Sequence, residues 1–356
     1  MPLRVLHIIT SLGKGGAEVL LSNTIPLLRE FEQHLVTFQA PIDQLNDLSP
    51  FLTSYRCLHI ERRSQWIKGI FNLRKVINAI EPDLIHVHLF TPALLTKIAA
   101  PKKIPLFYSI HNTYSIDAFK ANPWALLFER LTASRSHHLI GVSELVLRDY
   151  QSHVKNSGTG DVIYNMVGNE FFNDHIREDY SPYTPLRCIS VGRLKLQKNY
   201  PFTLQAFKLL KDVPITLDIY GDGPEKENLE KIILKDELSN VRLMGQSTEM
   251  EKVLKNYDLY EISSTYEGFG IALLEALATG IPSLASDIPV FREAACDAVI
   301  YFGLEQPVDL AQSLRAIYEG KLSLLDYSTL GKKQAVYIAS SEKYIKSLKS
   351  LYKKYS

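Results

Sequence analysis

Short apolar runs recur along the chain, separated by longer segments whose apolar residues follow helical spacing. The runs predict a first series of strands at residues 5–9, 34–38, 84–88, 106–109 and 139–142, and a second series at 187–191, 216–220, 241–244, 259–263 and 283–285. Segments 17–28, 67–80 and 199–210 are examples of the predicted helices between them. Strands that alternate with helices favour parallel sheets covered on both faces. The pattern therefore predicts an α/β protein with two doubly wound parallel sheets.

A polar, proline-containing stretch at 172–185 separates the two series and is typical of an interdomain linker. The length of 356 residues also favours two domains over one core. We predict one Rossmann-like domain over residues 1–171 and a second over residues 186–335. Residues 340–356 predict an amphipathic helix that joins the N-terminal domain.

Composition narrows the classes of function. Lys and Arg (40) nearly cancel Asp and Glu (39), so no whole-chain field would recruit nucleic acid. Three scattered cysteines, Cys57, Cys188 and Cys296, lack metal-ligand spacing and favour a reducing compartment. The first apolar run is too short for a signal peptide, and no stretch approaches the ~18 apolar residues of a membrane span. We therefore expect a cytoplasmic protein.

The first predicted strand leads into a glycine-rich turn that contains Gly15 and Gly16 and precedes a helix. Glycine lets the backbone approach a ligand, and a helix N-terminus offers unpaired N–H groups, so this turn suits phosphate. A tight turn without a ligand explains the same residues equally well. A dinucleotide fingerprint would need a third glycine and an acidic residue after the second strand, and both are absent. The sequence therefore disfavours a nicotinamide-dependent dehydrogenase.

Basic residues and glycines follow the strands of the second series, at the edge where open α/β sheets bind ligands. Arg193 and Lys198 follow strand 187–191 and suit a pyrophosphate leaving group without a metal ion, although a solvated basic loop fits that segment taken alone. Gly221 lies in the turn after the next strand. Such a turn is common in proteins and indicates a ligand site only because it lies between the other motifs.

Residues 263–282 carry two glutamates, Glu267 and Glu275, eight positions apart. Glu267 lies in a glycine-flexed turn, and a helix begins near Gly270. Glu275 lies in that helix on an otherwise apolar face, where an unpaired carboxylate is costly to bury. The two vicinal hydroxyls of a ribose would match its two oxygens. The competing interpretation for both glutamates is a structural pair with an arginine or a backbone group.

On these motifs the chain resembles the retaining glycosyltransferases of family 4, which have the GT-B architecture. The resemblance covers nearly the whole length, and its most specific part is the Glu-x7-Glu pair with its Glu-Gly-Phe-Gly core. It implies two Rossmann-like domains that face a central cleft and a sugar transferred from a UDP- or GDP-linked donor. No Asp-x-Asp motif occurs, so we expect no metal ion and no cofactor.

The resemblance also implies a role for each motif. Arg193 and Lys198 would hold the donor diphosphate, Glu275 the ribose hydroxyls, and Glu267 the donor sugar. His111 follows a first-domain strand, where the family places a histidine near the reaction centre; without the family, a core-edge histidine is the better interpretation. The predicted catalytic residues are Glu267, His111, Arg193 and Lys198, and the predicted donor-binding residues are Gly15, Gly16, Gly221, Met244, Phe269, Gly270, Ile271 and Glu275.

Two features depart from these motifs. Glu261 and Ser263 stand where the family prefers apolar residues, which we interpret as a less buried strand, and the choice between uridine and guanosine stays open. His86 and His88 alternate in strand fashion with no third metal ligand nearby in the sequence, and we interpret them as histidines at the edge of the fold.

The acceptor is expected on the first domain, and a glycan or lipid-linked acceptor in bacterial surface polysaccharide synthesis is our hypothesis. Segments 62–75 and 119–135 combine basic and aromatic residues that suit an anionic membrane surface, although ordinary amphipathic helices fit them as well. Two alternative functions are a non-hydrolysing nucleotide-sugar epimerase and a non-catalytic nucleotide-sugar-binding protein. For transfer itself, attack on the same face as the leaving group is favoured over a covalent intermediate.

Overall fold

The computed structural model describes residues 2–13, 15–155, 157–172 and 185–355, so that most of the predicted linker (residues 173–184) lies outside the described residues. The chain divides into two compact units. The first unit is formed by Met1–Met166 with Ser341–Ser356, and the second unit by Val167–Ser340.

The first unit contains a seven-stranded sheet with the strand order β3-β2-β1-β4-β5-β6-β7. Its strands are β1 (Arg4–Ile9), β2 (Glu32–Thr37), β3 (Ser54–Cys57), β4 (Leu84–His88), β5 (Leu106–Ile110), β6 (His137–Gly141) and β7 (Thr159–Val162). Its helices are α1 (Gly16–Thr24), α2 (Leu45–Leu48), α3 (Trp66–Ile80), α4 (Phe90–Ala99), α5 (Ala118–Ala121), α6 (Pro123–Thr132) and α7 (Glu144–His153). All of these strand pairs are parallel, as the alternation of strands and helices predicts.

The second unit contains a six-stranded parallel sheet with the order β10-β9-β8-β11-β12-β13. Its strands are β8 (Leu186–Val191), β9 (Ile215–Tyr220), β10 (Val241–Gly245), β11 (Leu259–Ile262), β12 (Ser283–Ser286) and β13 (Ile300–Phe302). Its helices are α8 (Tyr200–Lys208), α9 (Lys226–Lys235), α10 (Met250–Val253), α11 (Ile271–Thr279), α12 (Pro289–Ala295), α13 (Pro307–Tyr318) and α14 (Leu324–Ala339). The predicted class, two doubly wound parallel sheets, is confirmed.

Three strands were not predicted from the sequence pattern, and all three lie at sheet edges. β3 and β7 are four residues long and alternate between exposed and half-buried positions, and β13 has three residues. An edge strand has one neighbour only, so it needs no continuous apolar run. The predicted strands, by contrast, are the inner strands of the two sheets together with the edge strand β10.

The chain returns to the first unit through its last helix, α15 (Ser341–Tyr355). Its buried residues pack against the central strands of the first sheet, including Val5, Leu84 and Phe107. The hydroxyl of Tyr352 lies 2.5 Å from Nδ1 of His86 on β4. The helix therefore completes the core of a unit whose other elements precede it by more than 170 residues in the sequence.

Among the described residues, none of the helices combines the length and apolar character that a bilayer crossing requires.

A fully buried ion pair joins three helices on the other face of this sheet. Lys97 on α4 contacts the Glu129 carboxylate on α6, and both side chains are 0% exposed. The hydroxyl of Tyr150 on α7 donates to the same carboxylate oxygen, and the Lys97 ammonium lies 4.5 Å from the centroid of the Tyr108 ring. Burial of two charges is costly, and the ring and the hydroxyl compensate part of that cost.

We predict that Lys97→Met destabilises the first unit by roughly 3–5 kcal/mol, because it leaves the Glu129 carboxylate buried and unpaired. Lys97→Met combined with Glu129→Leu should recover most of that loss, since no charge then remains buried. Urea unfolding followed by tryptophan fluorescence measures this directly, because both tryptophans, Trp66 and Trp124, lie in the first unit.

The matched control is Arg148→Met, which removes a cation from the exposed pair Arg148–Glu144, with 3.3 Å between nitrogen and oxygen. We expect it to change stability by less than about 0.5 kcal/mol. Equal losses for Lys97→Met and Arg148→Met would contradict the prediction.

Candidate active site

The order of strands in the second sheet brings two predicted site segments together. The chain winds outward in opposite directions from the adjacent strands β8 and β11, which makes their carboxyl ends the topological switch point of the sheet. Ligands of open α/β sheets bind at such a point. Arg193 and Lys198 follow β8, and Glu267 follows β11.

Lys198 and Glu267 form an ion pair at this edge. The Lys198 ammonium lies 2.7 Å from Oε1 of Glu267, and the two side chains are only 15% and 12% exposed. The Ser264 hydroxyl donates to the same oxygen over 2.8 Å. Two bonds join the loops themselves: the Thr265 N–H to the Gln197 carbonyl (2.9 Å) and the Gln197 side-chain amide to the Tyr266 carbonyl (2.8 Å). A phosphate that binds Lys198 must therefore share it with Glu267.

Arg193 supplies a second cation at the same edge. Its side chain is exposed and makes no hydrogen bond or ion pair with any residue that the structure describes. The neighbouring turns pack so closely that they require glycine: a Cβ on Gly221, whose φ is 149°, would lie 1.9 Å from the Gly192 carbonyl oxygen. This packing fixes the loop that carries Arg193 against the turn after β9.

Glu275 is half-buried in α11, and its carboxylate has no hydrogen-bond partner among the described side chains and backbone groups. Burial raises the pKa of Glu275 to about 8; the negative charge of Glu170 adds to the rise, and the Lys198 ammonium opposes it. The 3-10 turn Asn169–Phe171, which carries Glu170, packs against α11. A half-buried acceptor without a donor is costly in the free protein. The structural pair that competed as an interpretation of Glu275 is therefore not found.

Helix α11 begins at this edge with its first turn uncapped by any side chain. Gly270 adopts φ 86° just before the helix, and a Cβ there would lie 2.6 Å from the Phe291 ring, so only glycine fits without displacement. Phe269 is buried and Ile271 half-buried. The unpaired N–H groups of such a turn favour an anion. Met244 is 42% exposed near the end of β10, and its predicted contact with a base stays a prediction.

The interpretation of a less buried strand at Glu261 is wrong. Glu261 is 0% and Ser263 1% exposed, because β11 is covered on both faces. The Thr203 hydroxyl donates to Oε1 of Glu261 over 3.2 Å and lies 2.6 Å from the Ser263 hydroxyl, which in turn donates to the Lys198 carbonyl over 3.1 Å. Burial raises the pKa of Glu261 to about 7, while side-chain hydrogen bonds to Glu261 from Thr203, Ser190 and Ser263 act to lower it. A polar cluster thus supports the Lys198 loop from inside the unit.

In the first unit, Gly15 and Gly16 lie where the sequence placed them, at the turn from β1 into α1, and Gly16 is the first residue of the helix. Gly15 is the residue before the helix, and a Cβ on it would lie 2.3 Å from a carboxylate oxygen of Glu18. Glu18 accepts a 3.4 Å hydrogen bond from Ser11. The predicted contact of Gly15 and Gly16 with phosphates stays a prediction.

His111 follows β5 in the first unit, and its side chain contacts another histidine. Its Nε2 lies 3.2 Å from Nδ1 of His88. His86 and His88 are each 1% exposed, so the interpretation of them as edge histidines is wrong: β4 lies in the middle of the sheet. His7 on β1 pairs with His86 in register and supplies the third histidine that sequence spacing did not reveal.

Nitrogen atoms of His7, His86 and His88 lie within 4.8 Å of one another, close enough to be tested as a metal site. Both nitrogens of His86 are engaged, Nδ1 with Tyr352 and Nε2 with the Ser109 hydroxyl at 2.7 Å. The rings of His86 and His88 also pack with centroids 4.1 Å apart rather than converging on a point. A metal would therefore have to break the bonds of His86, and the trio fits it poorly.

Two models of known protein families match the chain. Residues 14–170 match Glycosyltransferase Family 4, and residues 173–334 match Glycosyl transferases group 1. Among solved structures, HepE from Anabaena in complex with UDP superposes with a TM-score of 0.84 and covers 99% of this chain and 100% of that one, at 17% identity. At that identity the likeness shows the fold, which is GT-B.

Curated relatives match over different lengths. The chain is 34% identical over 116 residues to the GtfA subunit of a UDP-N-acetylglucosamine–peptide N-acetylglucosaminyltransferase from Streptococcus agalactiae, over 32% of this chain and 23% of that relative. The chain thus spans about a quarter of that relative's length. The O-antigen biosynthesis glycosyltransferase WclY from Escherichia coli is 23% identical over 344 residues, which cover 90% of this chain and 91% of WclY.

We predict that Glu261→Gln raises the melting temperature of the second unit at pH 8 by several degrees and has little effect at pH 5. The folded-state pKa of about 7 exceeds the ordinary value of 4.5, so the unfolded chain binds fewer protons between these values. The stability contributed by the protonated Glu261 is therefore present below about pH 4.5 and is lost as pH rises to about 7.

Differential scanning calorimetry from pH 5 to pH 8 measures the gap between variant and wild type, with the exposed Glu230→Gln as the matched control. A gap that stays constant with pH for Glu261→Gln would show that this carboxyl group does not titrate in that range.

Proposed function

Because this chain belongs to the family 4 glycosyltransferases, we propose that it transfers a sugar, with retention of configuration, from a UDP-linked donor to a glycan or lipid-linked acceptor. The proposal places the donor's UDP group on the second unit. Arg193 and Lys198 bind the diphosphate, the first turn of α11 adds N–H donors, and Glu275 binds the ribose.

One observation carries this proposal: a cation and a carboxylate at the switch point of the second sheet lack partners of their own. The Arg193 guanidinium has no partner among the described residues, and neither has the half-buried Glu275 carboxylate. A diphosphate satisfies the first, since arginine forks onto phosphate oxygens. The two hydroxyls of a ribose satisfy the second. A nucleoside diphosphate joins both groups in one molecule.

The relatives support uridine as the base. HepE was also solved with UDP-glucose, and GtfA is named for a UDP-N-acetylglucosamine donor. The name of WclY, an O-antigen biosynthesis glycosyltransferase, suggests a place in surface polysaccharide synthesis. From that name we take the acceptor class; the sugar itself stays open.

The proposed reaction breaks the bond between the sugar's anomeric carbon and the diphosphate oxygen and forms a bond from that carbon to an acceptor hydroxyl oxygen on the same face. The electron pair of the broken bond leaves with UDP, and the acceptor proton passes to the leaving phosphate oxygen. Fixed cations stabilise the charge that develops on this oxygen, and each such group is worth about 3–4 kcal/mol. Glu267, neutralised by Lys198 in the free protein, becomes more available to the positive sugar when a phosphate shares the Lys198 ammonium.

We predict that UDP binding at pH 7 raises the melting temperature and releases a proton from Glu275. The pKa of about 8 leaves this carboxyl group mostly protonated at pH 7, and two ribose hydroxyls favour the ionised form. Affinity should therefore rise with pH until about pH 8. Isothermal titration calorimetry in buffers of different ionisation enthalpy counts the protons.

Glu275→Gln is the matched control, because it keeps the shape of the side chain and cannot titrate. We expect it to lose the proton release and about 10-fold or more of the affinity for UDP, the value of one charged hydrogen bond. Tighter binding of GDP than of UDP would refute uridine, and no binding of either nucleotide would refute the donor site. Transfer that persists in EDTA would support the expected independence from metals.

A second part of the proposal concerns an anionic membrane surface. On α6, the four residues Trp124, Leu127, Phe128 and Leu131 follow the spacing of one helix face and are 65%, 43%, 47% and 70% exposed. The opposite face of α6 buries Ala125 and Glu129. An exposed apolar face beside basic residues suits the interface of an anionic leaflet, where a lipid-linked acceptor lies.

We predict that the wild-type protein cosediments with vesicles of phosphatidylglycerol at low salt and that Trp124→Ser with Leu131→Ser reduces the bound fraction at least about fivefold, since two large apolar groups are lost from the interface. Leu234→Ser on the second unit is the matched control, because Leu234 is 81% exposed and lies outside α6. Equal binding of both variants would contradict a role for this face.

A further inference from the structure

The hydrogen bond between His88 and His111 determines which nitrogen of His111 faces a ligand. Nε2 of His111 lies 3.2 Å from Nδ1 of His88, and Nδ1 of His111 bonds to no residue that the structure describes. His88 ends β4, and His111 follows the adjacent strand β5, so the sheet itself holds the two rings together. Just after His88 the backbone of Leu89 adopts φ 69°, a strained value for a bulky residue, which fixes the path from β4 into α4.

Both rings are neutral near pH 7. Burial lowers the pKa of His111 to about 4, and burial together with the neighbouring histidines lowers the pKa of His88 well below its ordinary value. Each ring therefore carries one proton, and one of the two donates to the other.

The surroundings of His88 decide the direction. Its Nε2 is buried and has no hydrogen-bond partner among the described residues. If His88 accepted at Nδ1, its proton would lie on Nε2 as a buried donor without an acceptor, which is costly and rare in proteins. If His88 donates from Nδ1, only a lone pair stays unpaired at Nε2, and unpaired acceptors are better tolerated.

We propose that His88 is a positioning residue: its Nδ1–H donates to Nε2 of His111 and holds His111 in the tautomer that carries its proton on Nδ1. His111 then presents a hydrogen-bond donor to an oxygen of its ligand, a sugar hydroxyl or a phosphate. It does not act as a general base, because Nδ1 is protonated and the lone pair of Nε2 is occupied. The identity of the ligand rests on the proposed function; the tautomer does not.

Nuclear magnetic resonance of the ¹⁵N-labelled protein at pH 7.5, without ligand, tests the tautomer. Two-bond proton–nitrogen correlations separate the two neutral forms of a histidine, and the spectrum of His111→Gln identifies the signals of His111. We expect the Nδ1–H form of His111 in the wild type. The Nε2–H form would overturn the proposal.

Two variants of His88 test the positioning role. His88→Asn keeps an N–H donor near the position of Nδ1. His88→Leu fills the same buried position with an apolar side chain that has no donor. We expect His88→Leu to shift His111 toward the Nε2–H form and to lower kcat roughly 10- to 100-fold, by analogy with groups that orient metal-bound histidines. His88→Asn should restore the Nδ1–H form and recover a large part of kcat relative to His88→Leu.

The outcomes separate the two proposals. An unchanged tautomer and an unchanged kcat in His88→Leu would overturn the positioning role. Absence of sugar transfer by the wild type, with the Nδ1–H form present, would refute the proposed function and leave the tautomer established. If His88→Leu does not fold, the wild-type spectrum still decides the direction of the hydrogen bond.

Discussion

The burial of both sheets on both faces is the constraint on which this molecule depends. Inner strands such as β4 and β11 have no solvent-facing side, so a polar residue within them must find a partner inside the protein. His86 finds Tyr352 and Ser109, and Glu261 finds Thr203. Groups that need water or a ligand are confined to the carboxyl edges, where the loops begin. Chemistry is therefore concentrated at those edges.

This constraint also explains what the sequence could and could not predict. Strands with continuous apolar runs, such as β1 and β8, were found close to their true ends, and edge strands such as β3 were not, because their residues resemble a loop. The pairing of Lys198 with Glu267 could not be predicted, because the two residues are 69 positions apart and only the sheet order brings them together. Periodicity likewise could not tell that His7 joins His86, since strand order is a tertiary property.

The two units manage charge at their edges in different ways. In the second unit, Lys198 and Glu267 neutralise each other, and Arg193 stays exposed. The free protein therefore holds two cations at this edge with a smaller local field than two unpaired cations would create. In the first unit, buried histidines are kept neutral, and hydrogen-bond direction replaces charge. The second unit thus offers charged groups at its edge, and the first unit offers neutral histidines whose proton positions are set by hydrogen bonds.

The return of α15 to the first sheet has a consequence for the order in which the protein is made. A ribosome synthesises the chain from its N-terminus, so β1 to β7 leave it long before Tyr352 exists. Until then, the face of the sheet formed by Val5, Leu84 and Phe107 lacks its cover. The second unit, by contrast, is continuous in sequence and has all its strands before the last helix emerges. The unit that begins first is thus the one that is finished last, and its apolar face stays uncovered until the last helix has left the ribosome.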